Sequence, residues 1–202
     1  MNVGGALAAP LRGRIPDGVP PRSTQKLQSA ALYEVAVELL AARSLTEAEL
    51  RGRLSKRAAS EQALNDTVAR LQEAGYLSDQ QAAESHAYRR RELEAVGPER
   101  AYVELRRRGV EEAVSRRAVE SAYAEIDQLD LIERRLRRSG NLDRLRGDPK
   151  GLLRLVRGLA RAGFRSDKIV EALRRRGFAA EWLDEAAEAE TEAQLPSDSE
   201  IG

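Results

Sequence analysis

Clusters of arginine are the residues of this chain whose chemistry is most specific. A guanidinium group binds a carboxylate or a phosphate through planar, paired hydrogen bonds that an ammonium group cannot match. We therefore predict that the clusters contact an acidic protein surface or a nucleic acid. The residues predicted to bind the partner are Arg89, Arg90, Arg91, Arg106, Arg107, Arg108, Arg134, Arg135, Arg137, Arg138, Arg174, Arg175 and Arg176.

A structural explanation competes for two of these clusters, because each directly precedes a glycine, Gly109 or Gly177. A cation at a helix C-terminus interacts favourably with the helix dipole by about 0.3 to 1 kcal/mol, and glycine readily closes a helix in the left-handed conformation. One cation is enough to interact with the helix dipole. Successive helical residues point about 100° apart, so three consecutive arginines cannot all face the same way. Structural and partner-binding roles therefore both stay open, and at least one arginine per cluster is expected to face outward.

Other chemistry has little support in this sequence. The chain has no cysteine and a single histidine, His86, which leaves thiolate metal sites and histidine-based catalysis without ligands. Carboxylates such as Glu111 and Glu112 lack the apolar setting that an acid–base pair requires. We predict no enzyme activity, no catalytic residue, no metal site and no cofactor. No apolar stretch approaches the ~20 residues that span a bilayer, so no membrane contact and a cytoplasmic location are expected.

Three similar phrases along the chain indicate the elements that position the arginines. Each phrase combines a helix start, apolar residues four positions apart and a cationic helix end, and Leu54, Leu105 and Leu173 occupy equivalent places. A period of roughly 50 residues is typical of stacked helical units. Aromatic residues make up only 4% of the chain, which favours helices over a sheet sandwich. The prediction is an all-α protein of three tandem three-helix repeats, helix-turn-helix-like, in an elongated, curved stack.

The first repeat carries the clearest helix signals. Thr46 and Glu49 match a capping box, and Leu45 and Leu50 match the hydrophobic staple that accompanies it. Ala58 stands where the other repeats have glycine, and a left-handed alanine costs roughly 1 to 2 kcal/mol. We expect the helix before Ala58 to end differently from its two counterparts.

Composition divides the chain into six segments. Proline-rich residues 1–28 and acidic residues 188–202 are expected to be disordered, as a basic arm and an acidic tail. Residues 129 to 178 contain 15 Arg or Lys against 6 Asp or Glu, so the third repeat is the electropositive end. A monomer is expected. The predicted ordered segments are repeat one at 29–78, repeat two at 79–128, a cationic joint at 129–150 and repeat three at 151–187.

The middle of the chain resembles the RecX family of bacterial recombinase regulators. The resemblance rests on Gly75-Tyr76-Leu77-Ser78-Asp79, on the helix that ends in Arg89-Arg90-Arg91, and on Gly97-Pro98 through Arg106-Arg107-Arg108-Gly109. It covers about residues 31 to 186 and is densest from 71 to 120. The resemblance implies tandem three-helix repeats and a protein that lies in the groove of the RecA filament on single-stranded DNA. It also implies restraint of filament growth, ATP hydrolysis and strand exchange.

The chain departs from the usual RecX pattern at a few apolar positions. Ala58-Ala59 replaces a Gly-Phe pair, Val96 replaces an aromatic residue before Gly-Pro, and the aromatic usual after Leu77-Ser78-Asp79 is absent around Ala82. These changes affect the core of repeat one and its junction with repeat two rather than the cationic helix ends. The fold that the resemblance implies therefore still stands.

The leading hypothesis is a non-enzymatic regulator that binds a RecA-like recombinase filament, with possible contact to single- or double-stranded DNA. The alternative is a DNA-binding transcriptional regulator that uses the repeats as helix-turn-helix units. Such regulators usually dimerise and read spaced half-sites, whereas this chain offers three nonidentical units and no obvious dimer face. The sequence leaves open whether the regulator inhibits or assists the recombinase.

Overall fold

The architecture was obtained from a computed structural model, which describes residues 26–140 and 142–178. Within these ranges every regular element is a helix, so the all-α prediction is confirmed. The expected basic arm (apart from its last three residues), residues 179–187 of the expected third repeat and the acidic tail lie outside the described residues. The helices are α1 (Ser29–Ala42), α2 (Glu47–Leu54), α3 (Glu61–Glu73), α4 (Asp79–Glu94), α5 (Pro98–Arg107), α6 (Glu112–Tyr123), α7 (Gln128–Arg138), a 3₁₀ helix (Leu142–Leu145), α8 (Pro149–Arg161) and α9 (Ser166–Arg175).

Helices α1, α2 and α3 pack against one another around their own apolar core. The predicted capping box starts α2: the Glu49 amide donates to the Thr46 hydroxyl at 3.2 Å, and the Thr46 amide donates to the Glu49 carboxylate at 3.1 Å. Each bond satisfies an amide that the first helical turn leaves without a partner. The largest buried side chains of this core are Leu32, Leu45, Leu50, Leu54 and Leu71.

The end of α2 differs from the ends of α5 and α9, as its sequence indicates. No residue there adopts positive φ; instead Ala58 pairs with Leu27 in an isolated parallel bridge, with the Leu27 amide 2.7 Å from the Arg57 carbonyl. In α5 and α9 the glycines take φ of 82° and 77°. The amides of the following residues, Val110 and Phe178, return to the carbonyls of the two equivalent leucines at 3.2 Å each. Both glycine-terminated ends are thus confirmed.

The segments predicted as the second and third repeats share one continuous apolar core. Helices α4, α5 and α6 contact one another, and α7 packs against α9. Leu129, Leu131, Ile132 and Leu136 of α7 are buried in this common core. The segment 129–150, expected as a joint, therefore contains a helix that is built into the structure. The repeat boundaries and the elongated, curved stacking remain predictions.

Two glycines hold the second and third repeats together where their backbones meet. The Gly97 amide, directly before α5, donates to the Ala162 carbonyl at the end of α8 at 2.8 Å. A Cβ atom on Gly97 would lie 2.1 Å from the Gly163 carbonyl oxygen, and one on Gly163 would lie 2.2 Å from the Arg100 amide nitrogen. This close approach fixes the position of α5, and hence of Arg107 at its end, relative to α8.

Candidate partner-binding surface

The arginine clusters divide into side chains that hold helices together and side chains that face solvent. Arg108 is the clearest of the first kind: it donates to the two Glu49 carboxylate oxygens at 3.0 and 2.9 Å and to the Ser44 carbonyl at 3.1 Å. Its own carbonyl accepts a 2.7 Å bond from the fully buried Thr46 hydroxyl. The start of α2 and the end of α5 are therefore joined through a capping box and a paired guanidinium.

The electrostatics of this junction follow from its hydrogen bonds. The bond from Arg108 lowers the pKa of Glu49 below its usual value, against a smaller raising effect of burial. Asp79, at the start of α4, accepts a 2.7 Å bond from the Glu47 amide. Partial burial outweighs that bond and raises the pKa of Asp79. Both carboxylates contact the start of α2, so α2, α4 and α5 meet at one polar centre.

Arg90 belongs to a second polar centre, between α4 and α5. Its guanidinium pairs with Glu94 and lies 2.7 Å from Glu104, which also accepts from Arg100 at 2.9 Å. Burial alone would raise the pKa of Glu104, but the arginine hydrogen bonds outweigh it and lower that pKa. His86 lies 3.1 Å from the same carboxylate, and burial lowers the pKa of its imidazole. These groups satisfy one another's charges within repeat two.

Several other arginines donate to backbone carbonyls near helix ends. Arg91 donates to the Ala122 carbonyl near the end of α6, and Arg106 donates to the Val110 carbonyl at 2.5 Å. Three arginines of α7 cap the end of α4, whose last residue is followed by Ala95 in a left-handed conformation. Their distances to carbonyl oxygens are 2.5 Å from Arg134 to Glu92, 3.2 Å from Arg135 to Glu94 and 3.0 Å from Arg138 to Leu93.

In α9 the three arginines have different surroundings. Arg176 binds the Glu133 carboxylate of α7, with Nε at 3.1 and 3.0 Å from its oxygens, and this contact lowers the pKa of Glu133. Arg175 pairs with Glu171 at 2.7 Å on an exposed face, and Arg174 is also exposed. Arg146, which lies outside the predicted clusters, also caps the end of α9: it donates at 2.9 Å to the carbonyls of Arg176 and Gly177.

Two arginines face outward in the manner that partner binding requires. Arg89 in α4 and Arg107 at the end of α5 are exposed, and neither has an ion pair or hydrogen bond within the part of the chain that the structure describes. Arg137 is exposed as well, and its guanidinium makes only a 3.4 Å contact with the Glu133 carbonyl. Arg89 and Arg107 are therefore the strongest candidates for partner binding among the predicted residues.

This chain is similar to regulatory proteins of one family from different bacteria. It is 34% identical over 151 residues to the regulatory protein RecX of Deinococcus radiodurans, across 75% of this chain and 71% of that protein. It is 36% identical over 147 residues to RecX of Trichlorobacter lovleyi, across 70% of this chain and 93% of that protein. The chain belongs to the RecX family. No protein-family model matches it.

The fold of this RecX protein also resembles that of a solved relative. A crystal structure of regulatory protein RecX aligns with a TM-score of 0.56 at 18% sequence identity, over 73% of this chain and 72% of the other. At that identity the likeness supports the helical fold alone. Within the described ranges, no group of three or more His, Asp or Glu could hold a metal ion. No helix among those residues is long and apolar enough to cross a membrane.

The Glu49–Arg108 pair predicts an acid-sensitive junction in this RecX protein. Because the folded-state pKa of Glu49 lies below its ordinary 4.5, its contribution to stability is present above pH 4.5 and is lost as pH falls through the folded pKa. Melting temperatures between pH 6 and pH 3 should therefore fall less steeply in Glu49→Gln than in the natural chain. Equal slopes for the two proteins would show that this pair contributes nothing to the acid response.

Proposed function

We propose that this RecX protein binds the RecA recombinase or its nucleoprotein filament and restrains filament growth, ATP hydrolysis and strand exchange. The observation that carries the proposal is the 34 and 36% identity, over most of the chain, to proteins named as RecX regulators. The motifs from Gly75 to Gly109 resemble those of the same family. The proposed action requires binding only, without a catalytic step.

The divided arginine clusters support a binding mechanism of this kind. Arg90, Arg108 and the α7 arginines hold the helices in place, so that Arg89 and Arg107 project from a fixed frame. An unpaired, solvent-exposed guanidinium can exchange water for a carboxylate of the recombinase or a phosphate of its DNA. Contacts from more than one point of the chain to a repeating polymer gain affinity through effective concentration. The bound protein would then obstruct the addition of further recombinase subunits.

An ATPase assay tests the proposed restraint. RecA on single-stranded DNA should hydrolyse ATP several-fold more slowly once this protein is in molar excess, because fewer subunits remain in active filaments. Heat-unfolded protein at the same concentration serves as the control and should leave the rate unchanged. An undiminished rate at tenfold excess of folded protein would contradict the proposal.

A gel-shift experiment separates this function from the transcriptional alternative. The proposal expects no sequence-specific complex with genomic duplexes in the absence of recombinase, because backbone contacts alone do not distinguish base sequences. A sequence-specific complex of nanomolar affinity would favour a helix-turn-helix regulator instead. The same preparation of protein should be used in both assays so that the two results can be compared directly.

A further inference from the structure

Helix α8 carries a row of basic side chains that lies outside the predicted arginine clusters. Lys150, Arg154, Arg157 and Arg161 follow one another at intervals of four, three and four residues, and α8 contains no Asp or Glu. At 100° per residue these four positions fall within an arc of about 60°. The row is thus a single face of the helix, and we call it the α8 basic face.

The α8 basic face lies opposite the buried side of the helix. Leu152, Val156 and Leu159 are buried in the core shared by repeats two and three. Lys150 and Arg161 are exposed, and the Arg154 side chain is 76% exposed with one loose contact, 3.8 Å from Asp148. The core therefore presents these cations to solvent on a rigid helix.

Gly158 provides an independent indication that something approaches this face. A glycine inside a helix costs about 0.5 to 1 kcal/mol relative to alanine, yet a Cβ atom at this position would meet nothing within 4 Å. Packing among residues 26–140 and 142–178 therefore does not account for it. Gly158 adjoins Arg154 and Arg161 on the helical surface, where the lack of a side chain allows a ligand to come close to the α8 backbone.

We propose that the α8 basic face binds the phosphodiester backbone of a nucleic acid, directly and without the recombinase. From Lys150 to Arg161 the face extends about 16 Å along the helix at 1.5 Å per residue. A strand of duplex carries one phosphate per 3.4 Å of axis, so this length matches several consecutive phosphates. Contacts from these side chains to backbone phosphates carry no information about the base sequence. Binding is therefore independent of base sequence.

An acidic protein surface is a less suitable occupant. Protein interfaces depend on a few buried apolar or aromatic anchors, and the arc between Lys150 and Arg161 contains only basic residues. Backbone phosphates, in contrast, are bound chiefly by regularly placed cations. The inference goes beyond the proposed function, because it concerns a contact that the chain makes by itself.

Fluorescence anisotropy with a labelled oligothymidylate tests this site in the absence of recombinase. The triple variant Lys150→Gln, Arg154→Gln, Arg161→Gln should bind about tenfold more weakly or worse at low salt. The slope of log affinity against log salt should become less negative by about 2, since each lost phosphate contact contributes about 0.7 for a single strand. Oligoadenylate should give the same result as oligothymidylate.

A matched variant with the same change in net charge provides the control. Arg53, Arg70 and Arg117 are exposed on three other helices, and their joint replacement by Gln should leave the salt slope nearly unchanged. The proposal would be overturned if both triple variants had the same slope of log affinity against log salt. It would also be overturned if the α8 variant bound oligothymidylate as tightly as the natural protein. If the α8 variant lost as much affinity for polyglutamate as for the oligonucleotide, the ligand would be an acidic protein and the proposal would also be overturned.

The oligonucleotide-binding experiment and the recombinase ATPase assay can fail independently of each other. If the α8 triple variant does not fold by circular dichroism, Arg154→Gln alone should still reduce the slope by about 0.7, and an unchanged slope would count against the site. Loss of oligonucleotide binding with intact ATPase inhibition supports the α8 site and leaves the proposed function standing. Oligonucleotide binding unaffected by the substitutions overturns the α8 site, whatever the ATPase result.

Discussion

Replacing Gly97 with alanine should lower the free energy of unfolding by about 3 kcal/mol. The new Cβ would lie 2.1 Å from the Gly163 carbonyl oxygen and 2.3 Å from its carbonyl carbon. Backbone atoms cannot move aside by a rotamer change, so relief requires α5 to separate from the end of α8. That separation would also break the 2.8 Å hydrogen bond from the Gly97 amide to Ala162. Thermal denaturation should show a melting temperature lower by about 6 to 12 °C.

The corresponding change at Gly158 provides the control, because it adds the same methyl group to α8 without a clash. A Cβ there meets no atom within 4 Å, so Gly158→Ala should raise the stability by about 0.5 to 1 kcal/mol through helix propensity. The two alanine variants should thus shift the melting temperature in opposite directions. A Gly97→Ala variant as stable as the natural chain would mean that the two repeats are not in contact at this point.

Reversing the charge of both Arg89 and Arg107 should strongly weaken the inhibition of the recombinase ATPase. Both side chains are exposed and form no ion pair within residues 26–140 and 142–178, so their charges are available to a partner. A glutamate at each position would replace attraction to an acidic or phosphate-rich surface with repulsion. The concentration of protein needed for half-inhibition should rise at least about tenfold, equivalent to 1.4 kcal/mol.

Two comparison variants make this result specific. Arg53→Glu with Arg117→Glu changes the net charge equally at exposed positions outside the clusters, and it should inhibit like the natural protein. Arg108→Gln should instead lower the melting temperature, because it removes the guanidinium that donates hydrogen bonds to Glu49 and to the Ser44 carbonyl. If Arg89→Glu with Arg107→Glu still inhibits fully, those two residues are not contacts.

Local signals in the sequence predict the helix ends well. The Thr46–Glu49 capping box and the left-handed Gly109 and Gly177 depend on residues within one or two turns, and the structure has all of them. The unusual end of α4 at Ala95 had no such signal. Its carbonyls are capped by arginines of α7 some 40 residues further along the chain, which a local pattern cannot reveal.

The sequence could not show which arginine of a cluster faces inward. Arg106, Arg107 and Arg108 look alike in the chain, and the structure distinguishes them because Glu49, 59 residues away, lies beside Arg108 only. The same limit applies to the close approach of Gly97 and Gly163, which depends on how two repeats pack. The clusters were predictable from residue type. Which of their arginines form contacts within the fold and which face solvent is determined by the tertiary contacts.

Co-sedimentation with preformed RecA filaments on single-stranded DNA tests the central claim most directly, since binding to the filament precedes every proposed effect. The natural protein should pellet with the filaments in a saturable manner, and Arg89→Glu with Arg107→Glu should remain largely in the supernatant. DNA alone, at the same nucleotide concentration, controls for the α8 contact. If the folded natural protein stays in the supernatant while the filaments pellet, the proposed regulation of the recombinase filament is contradicted.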